Sequence, residues 1–246
     1  MAALREGRYE VESESIRLRG EDGEPVPALH ARPEGMPRRG VVLHPDVGGL
    51  RPLFEDLVRR LATHGAAVCA PEPFARALAS GIDLSDVAQR MAHVPQLEDE
   101  LQLGDLAAAA DYLVVNDDVR DVAIVGFCMG GMYALKAAAT GRFDRAVSFY
   151  GMVKVPEGWQ SPSVAEPLAT ADQMCPTLVI FGDADPYTPA ADIEALRTAW
   201  SGRTDYEIVV YPGAEHGFVH DPDRPAHRAD DAADAWTRVL KFLDLQ

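Results

Sequence analysis

The sequence predicts an α/β fold with a mostly parallel, twisted sheet and helices on both of its faces. Six short segments are almost continuously apolar and rich in β-branched residues, which is typical of strands buried on both faces of a parallel sheet. They are residues 41–43, 66–69, 122–125, 146–149, 177–181 and 208–211. Segments with a helical period separate them, and this alternation indicates a parallel sheet covered on both sides.

Three of the separating segments place their apolar side chains along one helical stripe, so we expect amphipathic helices there. The stripes run through residues 53–61, 103–114 and 232–243. Residues 72–100 and 159–174 are irregular, and the first of these segments contains proline and glycine, which break helices. We expect both to form loops over a functional site.

The N-terminal residues have a different pattern. Residues 9–18 alternate loosely, residues 21–23 carry the turn signal Glu-Asp-Gly, and residues 26–31 can pair back as an antiparallel edge hairpin. An antiparallel edge on a parallel sheet is common. Because 246 residues suit one large domain, we predict a single domain over 1–246, with N-terminal edge strands at 1–38 and the core of the fold at 39–246.

The composition limits the classes of molecule that the protein is expected to bind. A net charge of −16 and a pI of about 4.7 disfavour nucleic acids and anionic membranes. The N-terminus has no apolar segment of signal-peptide length, and no run approaches the roughly 18 apolar residues of a membrane span. We expect a cytoplasmic protein, a monomer or small homo-oligomer, that acts on a small molecule. Cys69, Cys128 and Cys175 lack the number and spacing of a disulfide framework or a zinc site.

The strongest local signal is Gly126-Phe127-Cys128-Met129-Gly130-Gly131, which follows a predicted strand and opens a predicted helix. This is the nucleophile-elbow pattern, with cysteine where serine is more usual. Small residues two positions before and after Cys128 let strand and helix approach closely and expose the side chain between them. The helix N-terminus favours a thiolate and an oxyanion, and we expect one oxyanion N–H from Met129. The alternative is a buried structural cysteine.

A thiol nucleophile needs a base, and His216 is in the expected place. It lies between the last predicted strand and the last helix, where the histidine of an α/β-hydrolase follows the nucleophile and the acid in chain order. The acid, which orients the imidazole, should come just after the strand at 177–181, so Asp183 and Asp185 both qualify. Either one can instead cap a turn or the helix that starts near Ala190.

Four motifs, in the same order, resemble those of the dienelactone hydrolase family. They are His44-Pro45-Asp46-Val47-Gly48-Gly49, the elbow at Cys128, Gly182-Asp183-Ala184-Asp185 followed by Thr188-Pro189, and Glu215-His216-Gly217-Phe218. The resemblance covers about residues 38–245. It implies that Cys128 is the nucleophile, His216 the base and Asp185 the acid. It also implies that Asp46 helps to control thiol ionisation and that the N–H of Val47 completes the oxyanion hole.

Substrate binding is where the sequence departs from this family. Characterised members hold a substrate carboxylate with arginines, one of them four residues after the catalytic histidine, and that position is His220 here. A donor of two parallel hydrogen bonds is thereby replaced by a group that is largely neutral at pH 7. Arg90 is a candidate for the other arginine, with solvation at a helix surface as the alternative. Tyr150 and Tyr187 are candidates to line the pocket.

The resemblance implies hydrolysis of a small ester or lactone through an acyl-cysteine intermediate, with no cofactor and no metal. Two alternatives keep the fold but not the reaction. A non-catalytic small-molecule binding protein predicts no unusually reactive thiol. A redox-sensing thiol protein predicts that peroxide oxidises Cys128 faster than an ester acylates it.

Overall fold

The computed structural model describes residues 2–246, apart from the side chains of residues 78–80. An eight-stranded sheet with the order β1-β2-β4-β3-β5-β6-β7-β8 runs through it. The strands are β1 (Val11–Arg19), β2 (Pro25–Pro33), β3 (Arg39–His44), β4 (Ala66–Pro71), β5 (Val122–Phe127), β6 (Arg145–Phe149), β7 (Thr177–Gly182) and β8 (Tyr206–Tyr211). Strands β3 to β8 are parallel, whereas β1 and β2 form an antiparallel hairpin whose second strand pairs with β4.

The predicted fold class is confirmed, including the antiparallel edge. Strand β1 pairs with β2 from Val11 opposite Pro33 to Arg19 opposite Pro25. Most side chains of β1 are polar and exposed, as suits an edge strand that must not pair with another chain. By contrast, β3, β4, β5 and β7 are buried along their whole length, which is why they are almost continuously apolar in the sequence.

Helices cover both faces of the sheet and give it two hydrophobic cores. They are α1 (Pro52–Ala62), α2 (Val87–His93), α3 (Asp99–Asp117), α4 (Met129–Ala138), α5 (Ala190–Ala199) and α6 (Ala229–Phe242). Apolar residues of α3, α4 and α5 pack on one face, and those of α1 and α6 pack on the other. Cys128 contacts both cores, because it lies where β5 ends between them.

The expectation of plain loops in residues 72–100 is wrong. That segment contains α2 and two 3₁₀ segments, Ala75–Ser80 and Val94–Gln96. The carboxylate of Asp86 caps α2 by accepting hydrogen bonds from the N–H groups of Ala88 and Gln89, and an aspartate at this position is the sequence signal for a helix start. The second irregular segment, residues 159–174, overlaps two further 3₁₀ segments, Glu157–Trp159 and Pro167–Gln173. Within residues 2–246, no helix is long and apolar enough to cross a membrane.

The parallel strands all end at the same edge of the sheet, and ligand sites of open α/β sheets lie at that edge. Asp46 follows β3, Cys128 follows β5 and Tyr150 follows β6. Asp185 and His216 follow β7 and β8. Five loops from different parts of the chain therefore meet around the end of the central strands.

Candidate active site

Cys128 lies in the turn between β5 and α4. Its φ of 56° and ψ of −119° are outside the regions that side-chain-bearing residues normally occupy, as expected for the nucleophile of a sharp strand-to-helix turn. The neighbouring strand holds this conformation, because the Cys128 N–H donates a 3.0 Å hydrogen bond to the carbonyl of Phe149. The thiol-bearing residue is half-buried.

Gly126 and Gly130 allow the turn to be this tight. A Cβ at Gly126 would collide with the carbonyl of Gly130, and a Cβ at Gly130 would collide with the carbonyls of His44 and Pro45. These are the two small residues whose close approach the sequence predicts. As a result, the start of α4 packs directly against the residues that follow β3.

This packing places two unpaired backbone N–H groups in adjacent segments. One belongs to Met129, the first residue of α4, and the other to Val47 in the loop after β3. Among residues 2–246, neither group donates a hydrogen bond to another residue. Unpaired N–H groups at a helix N-terminus are suited to binding a negative oxygen. The expected oxyanion role of Met129 and Val47 stays a prediction that this geometry allows.

His216 and Asp185 form a hydrogen-bonded couple, although they are 31 residues apart in the sequence. The distance from His216 Nδ1 to Asp185 Oδ2 is 2.7 Å. The Asp185 carboxylate is fully buried and also accepts a 2.8 Å hydrogen bond from the N–H of Tyr187. Because its second oxygen is held in this way, Asp185 can keep the imidazole in the tautomer with its proton on Nδ1, which leaves Nε2 unprotonated.

Asp183, the competing aspartate, has a different partner. It is exposed, and its carboxylate accepts a hydrogen bond from the N–H of Gly213. Its own N–H donates to the carbonyl of Tyr211. Asp183 thus joins the loops that follow β7 and β8, and of the two aspartates only Asp185 bonds His216.

The other imidazole nitrogen of His216, Nε2, is buried and has no hydrogen-bond partner among the described residues. Burial alone would lower the pKa of His216, but the hydrogen bond to Asp185 and the nearby Cys128 outweigh it and raise the pKa to about 9. The rings of Tyr150 and Tyr187 pack edge-on against the imidazole, with centroids 5.1 and 4.9 Å away.

A second histidine–aspartate couple lies beneath the first. His220 Nε2 is 2.9 Å from Asp46 Oδ2, and the Tyr150 hydroxyl bonds His220 Nδ1. A neutral His220 with its proton on Nε2 satisfies both contacts, because it donates to the carboxylate and accepts from the hydroxyl. Arg51 completes the chain with two hydrogen bonds to Asp46, at 2.6 and 2.9 Å.

Burial and hydrogen bonding set the protonation states of His220, Tyr150 and Asp46. It lowers the pKa of His220 more than the Asp46 hydrogen bond raises it, so the ring stays neutral. Burial also keeps the pKa of Tyr150 well above its usual value. Burial would raise the pKa of Asp46, but the hydrogen bonds from His220 and Arg51 hold it below its usual range, so the carboxylate is ionised.

Comparison with known proteins identifies the family of the chain. The model of the dienelactone hydrolase family matches residues 26–245. The chain belongs to the dienelactone hydrolase family. A carboxymethylenebutenolidase of Rhodococcus opacus is 30% identical over 223 residues, which are 90% of this chain and 86% of the relative. A Bradyrhizobium protein, named as a probable 2-oxo-3-(5-oxofuran-2-ylidene)propanoate lactonase, is 31% identical over 237 residues, 91% of each chain.

A solved structure extends the likeness to three dimensions. A Klebsiella pneumoniae protein assigned to the dienelactone hydrolases has a TM-score of 0.85 at 29% identity, and the match covers 95% of this chain and 98% of that one. An esterase of Pyrobaculum calidifontis, at 20% identity and a TM-score of 0.70, shares the fold. This member of the dienelactone hydrolase family is accordingly an ester or lactone hydrolase.

The structure bears on two expectations for Asp46 and His220 in this family member. Asp46 was expected to help control ionisation of the thiol; its oxygens are bound by Arg51, His220 and the N–H of Gly48, it forms no hydrogen bond with Cys128 among the described residues, and its influence on the thiol stays a prediction. His220 was expected to take the place of a substrate-binding arginine. It is fully buried and both ring nitrogens are occupied, so it presents no group to a substrate.

The expected substrate contacts of Arg90 and Tyr150 are corrected for similar reasons. The Arg90 side chain is only 4% exposed, and it forms a 2.7 Å ion pair with the equally buried Glu72. Glu72 also accepts a hydrogen bond from the N–H of Leu50, so this pair anchors the α2 segment to the loop after β3. Tyr150 is fully buried, and its hydroxyl is taken by His220. Tyr187 is exposed and stays a candidate to line the pocket.

Sequence reasoning missed Arg51 and Glu72, which bind Asp46 and Arg90. Arg51 lies five residues after Asp46, too ordinary a spacing to mark a partner, and Glu72 is 18 residues before Arg90. Of the other two thiols, Cys69 is buried and Cys175 is half-buried. Burial raises the pKa of Cys175 to about 12 and also raises that of Cys69.

Proposed function

We propose that this chain hydrolyses small esters or lactones through Cys128, His216 and Asp185, with an acyl-cysteine intermediate. One observation carries the proposal. His216 bonds Asp185 through Nδ1 at 2.7 Å, its buried Nε2 has no hydrogen-bond partner among the described residues, and Cys128 lies near enough to raise the pKa of the ring. A nucleophile next to a base, and a base oriented by a third group, is the arrangement of nucleophilic acyl transfer.

Acylation starts from a Cys128 thiolate beside a His216 ring that has taken up the thiol proton at Nε2, the charge state that the raised pKa of His216 favours. The thiolate attacks the carbonyl carbon, and the C=O electron pair moves onto oxygen, where the N–H groups of Met129 and Val47 stabilise it. The carbonyl re-forms as the C–O bond to the leaving group breaks. The leaving oxygen takes the proton from His216, and in a lactone it remains attached to the acyl chain.

Deacylation uses the same groups with water as the nucleophile. Neutral His216 accepts a proton from water while the water oxygen attacks the thioester carbon. The C–S bond then breaks, and the thiolate regains a proton from His216. The products are a carboxylic acid and an alcohol, or a hydroxy acid from a lactone. The names of the Rhodococcus and Bradyrhizobium relatives denote lactone substrates, which supports lactones as one substrate class.

Replacement of the nucleophile tests the proposal. Cys128→Ala should lower kcat/KM for phenyl acetate and for a butenolide by at least about 10³-fold, because no other group can form the thioester. Cys175→Ala, which removes a half-buried thiol whose pKa is raised by burial, should leave turnover close to that of the native protein. Circular dichroism and thermal unfolding establish that both variants are folded.

Two results would contradict the proposal. Undiminished turnover of both substrates by folded Cys128→Ala would remove the nucleophile from the mechanism. Failure to find an acetyl group on Cys128, by mass spectrometry of a rapidly quenched reaction in which the native enzyme shows a kinetic burst, would remove the intermediate. Faster oxidation of Cys128 by peroxide than acylation by either substrate would instead favour a thiol sensor.

A further inference from the structure

Glu72 is a buried carboxylate that has no part in the proposed mechanism. It follows β4, which lies beside β3 in the sheet, and its side chain is only 6% exposed. One carboxylate oxygen accepts hydrogen bonds from Arg90 at 2.7 Å and from the N–H of Phe74 at 3.0 Å. The other oxygen accepts a 2.8 Å hydrogen bond from the N–H of Leu50, in the loop after β3. Glu72 therefore joins two loops at the edge of the sheet where Cys128 lies.

The loop that Glu72 holds contains the Val47 N–H, one of the two proposed oxyanion donors. Residues 46–49 form a turn in which the N–H of Gly49 donates a 2.9 Å hydrogen bond to the carbonyl of Asp46. The Val47 N–H belongs to this turn and donates no hydrogen bond to another residue within 2–246. Its position is therefore set by the turn and not by a partner of its own.

Glu72 and Arg90 pack directly against this turn. A Cβ at Gly49 would collide with Arg90 Nη1 and lie 2.6 Å from Glu72 Oε1, so glycine leaves the space that the pair fills. Asp46, at the other end of the turn, is bound separately by Arg51 through two hydrogen bonds. The turn is thus held at its first residue by Arg51 and at its last by the pair of Glu72 and Arg90.

The exact place of an oxyanion donor matters for the rate of acyl transfer. Loss of one donor lowers kcat by about 10²–10³-fold, and a displacement of about 1 Å can cost about 10²-fold. Removal of Glu72 would leave the Leu50 N–H without its acceptor and the buried Arg90 guanidinium without its counter-charge. Because Leu50 directly follows the turn and Arg90 packs on it, we expect the Val47 N–H to shift as well.

We propose that Glu72 is a positioning residue of the oxyanion hole, which fixes the turn at residues 46–49 so that the Val47 N–H meets the developing oxyanion. Glu72 acts through the backbone, and only on a step in which a carbonyl oxygen becomes negative. The nucleophilicity of Cys128 should not depend on it. This inference rests on the proposed hydrolase function, so its test also uses readouts that do not require ester turnover.

The kinetic arm compares two reactions of Cys128. Hydrolysis of phenyl acetate forms an oxyanion, whereas alkylation by iodoacetamide does not, because the thiolate sulfur displaces iodide from a saturated carbon. Glu72→Ala should lower kcat for phenyl acetate by roughly 10- to 100-fold with KM changed by less than about 3-fold, and alter the alkylation rate of Cys128 by less than about 2-fold. Glu72→Gln should lower kcat by about 3- to 10-fold, because its amide oxygen can replace one carboxylate oxygen. It decides the inference if Glu72→Ala does not fold.

The matched control is Asp105→Asn. Asp105 is also a buried carboxylate that binds an arginine of the segment after β4, since Arg76 donates to both of its oxygens at 2.5 and 2.9 Å. It lies on α3 and, among the residues that the structure describes, forms no hydrogen bond with the loop after β3. This variant should keep both rates within about 2-fold of those of the native protein. Thermal unfolding establishes which variants are folded.

Amide hydrogen exchange, measured by NMR, tests the turn without turnover. The N–H groups of residues 47–50 should exchange at least about 10-fold faster in Glu72→Ala than in the native protein, because the turn loses its support at Gly49 and Leu50. Their exchange rates should be unchanged in Asp105→Asn.

Three results would overturn the inference and leave the proposed function standing. Native kcat in folded Glu72→Ala would show that the Val47 N–H needs no such support. Equal losses of hydrolysis and alkylation would assign Glu72 a general structural role. Unchanged exchange at residues 47–50 would show that Glu72 does not order the turn. If the native protein hydrolyses no ester, the proposed function fails and the inference fails with it.

Discussion

His216 and His220 lie on the same loop, and each bonds an aspartate that follows another strand of the sheet, yet the two couples have opposite properties. The His216 side chain is 12% exposed and its Nε2 has no hydrogen-bond partner among the described residues, whereas His220 is fully buried and has a partner on each nitrogen. The pKa of His216 is raised to about 9, and that of His220 is lowered.

The difference shows that the second partner decides what a histidine–aspartate couple does. At His216 the second nitrogen is left to a thiol, so the ring can accept and return a proton. At His220 the second nitrogen accepts from the Tyr150 hydroxyl, and Arg51 neutralises the aspartate, so the couple serves as structure. It holds together the loops after β3, β6 and β8.

The largest expected effect is a difference in activity between variants of His216 and His220. His216→Gln should lower kcat/KM for phenyl acetate by at least about 10³-fold, because it removes the base for both half-reactions. His220→Gln should cost less than about 10-fold, since a glutamine can still bond one of the two partners of His220. Initial-rate kinetics on folded variants measure both values, and losses of equal size would show that the inner couple is not merely structural.

The two aspartates after β7 provide the next test. Asp185→Asn should lower kcat/KM by roughly 10²- to 10⁴-fold, because an amide can hold the imidazole in the wrong tautomer. Asp183→Asn is the matched control and should remain near the native rate, because its hydrogen bond to the N–H of Gly213 can be made by an amide oxygen. A larger loss in Asp183→Asn than in Asp185→Asn would show that Asp185 is not the acid.

Substitution in the couple of His220 and Asp46 should mainly affect the stability of the fold. Asp46→Asn removes the charge that Arg51 and His220 bond, and we expect the free energy of unfolding to fall by about 2–4 kcal/mol. Asp111→Asn breaks an exposed pair with Arg142 and should cost less than about 1 kcal/mol. Urea unfolding measures both, and similar values for the two variants would argue against a structural role for Asp46.

The smallest expected effect is on the titration of the His216 and His220 rings, which NMR can measure. His216 should titrate near pH 9, and His220 should titrate below its ordinary value of 6.5 because burial lowers its pKa. Because the folded pKa of His216 lies above its usual value of 6.5, protonation of His216 stabilises the fold below about pH 6.5, and this contribution is lost as the pH rises through about 9. In Asp185→Asn the pKa of His216 should fall by at least about one unit; an unchanged value would mean that Asp185 is not the cause.

Cys128 could be proposed as the nucleophile from the sequence because that role requires a local pattern. A sharp turn between a strand and a helix requires small residues around the nucleophile, and Gly126 and Gly130 supply them within five consecutive positions. His216 could be placed because it follows the last strand. Asp185 was preferred partly through the family resemblance, since both aspartates follow β7, and the residues alone do not state which one faces the imidazole.

The wrong expectations concern residues whose environment depends on distant parts of the chain. Arg90 was taken as a cation open to substrate, but Glu72, contributed by the segment after β4, covers and neutralises it. Asp46 and His220 are 174 residues apart, and no local pattern marks them as a pair.

The sequence by itself determined the fold class and the parallel sheet of buried strands, and it predicted a nucleophile and the place of a base, because these depend on apolar periodicity and on steric demands within a few residues. The tertiary structure decided which aspartate bonds His216, which histidine is neutral, and which arginines are neutralised. Those outcomes depend on burial and on charges brought together from separate loops, and the free energy of ionisation responds to that assembled environment.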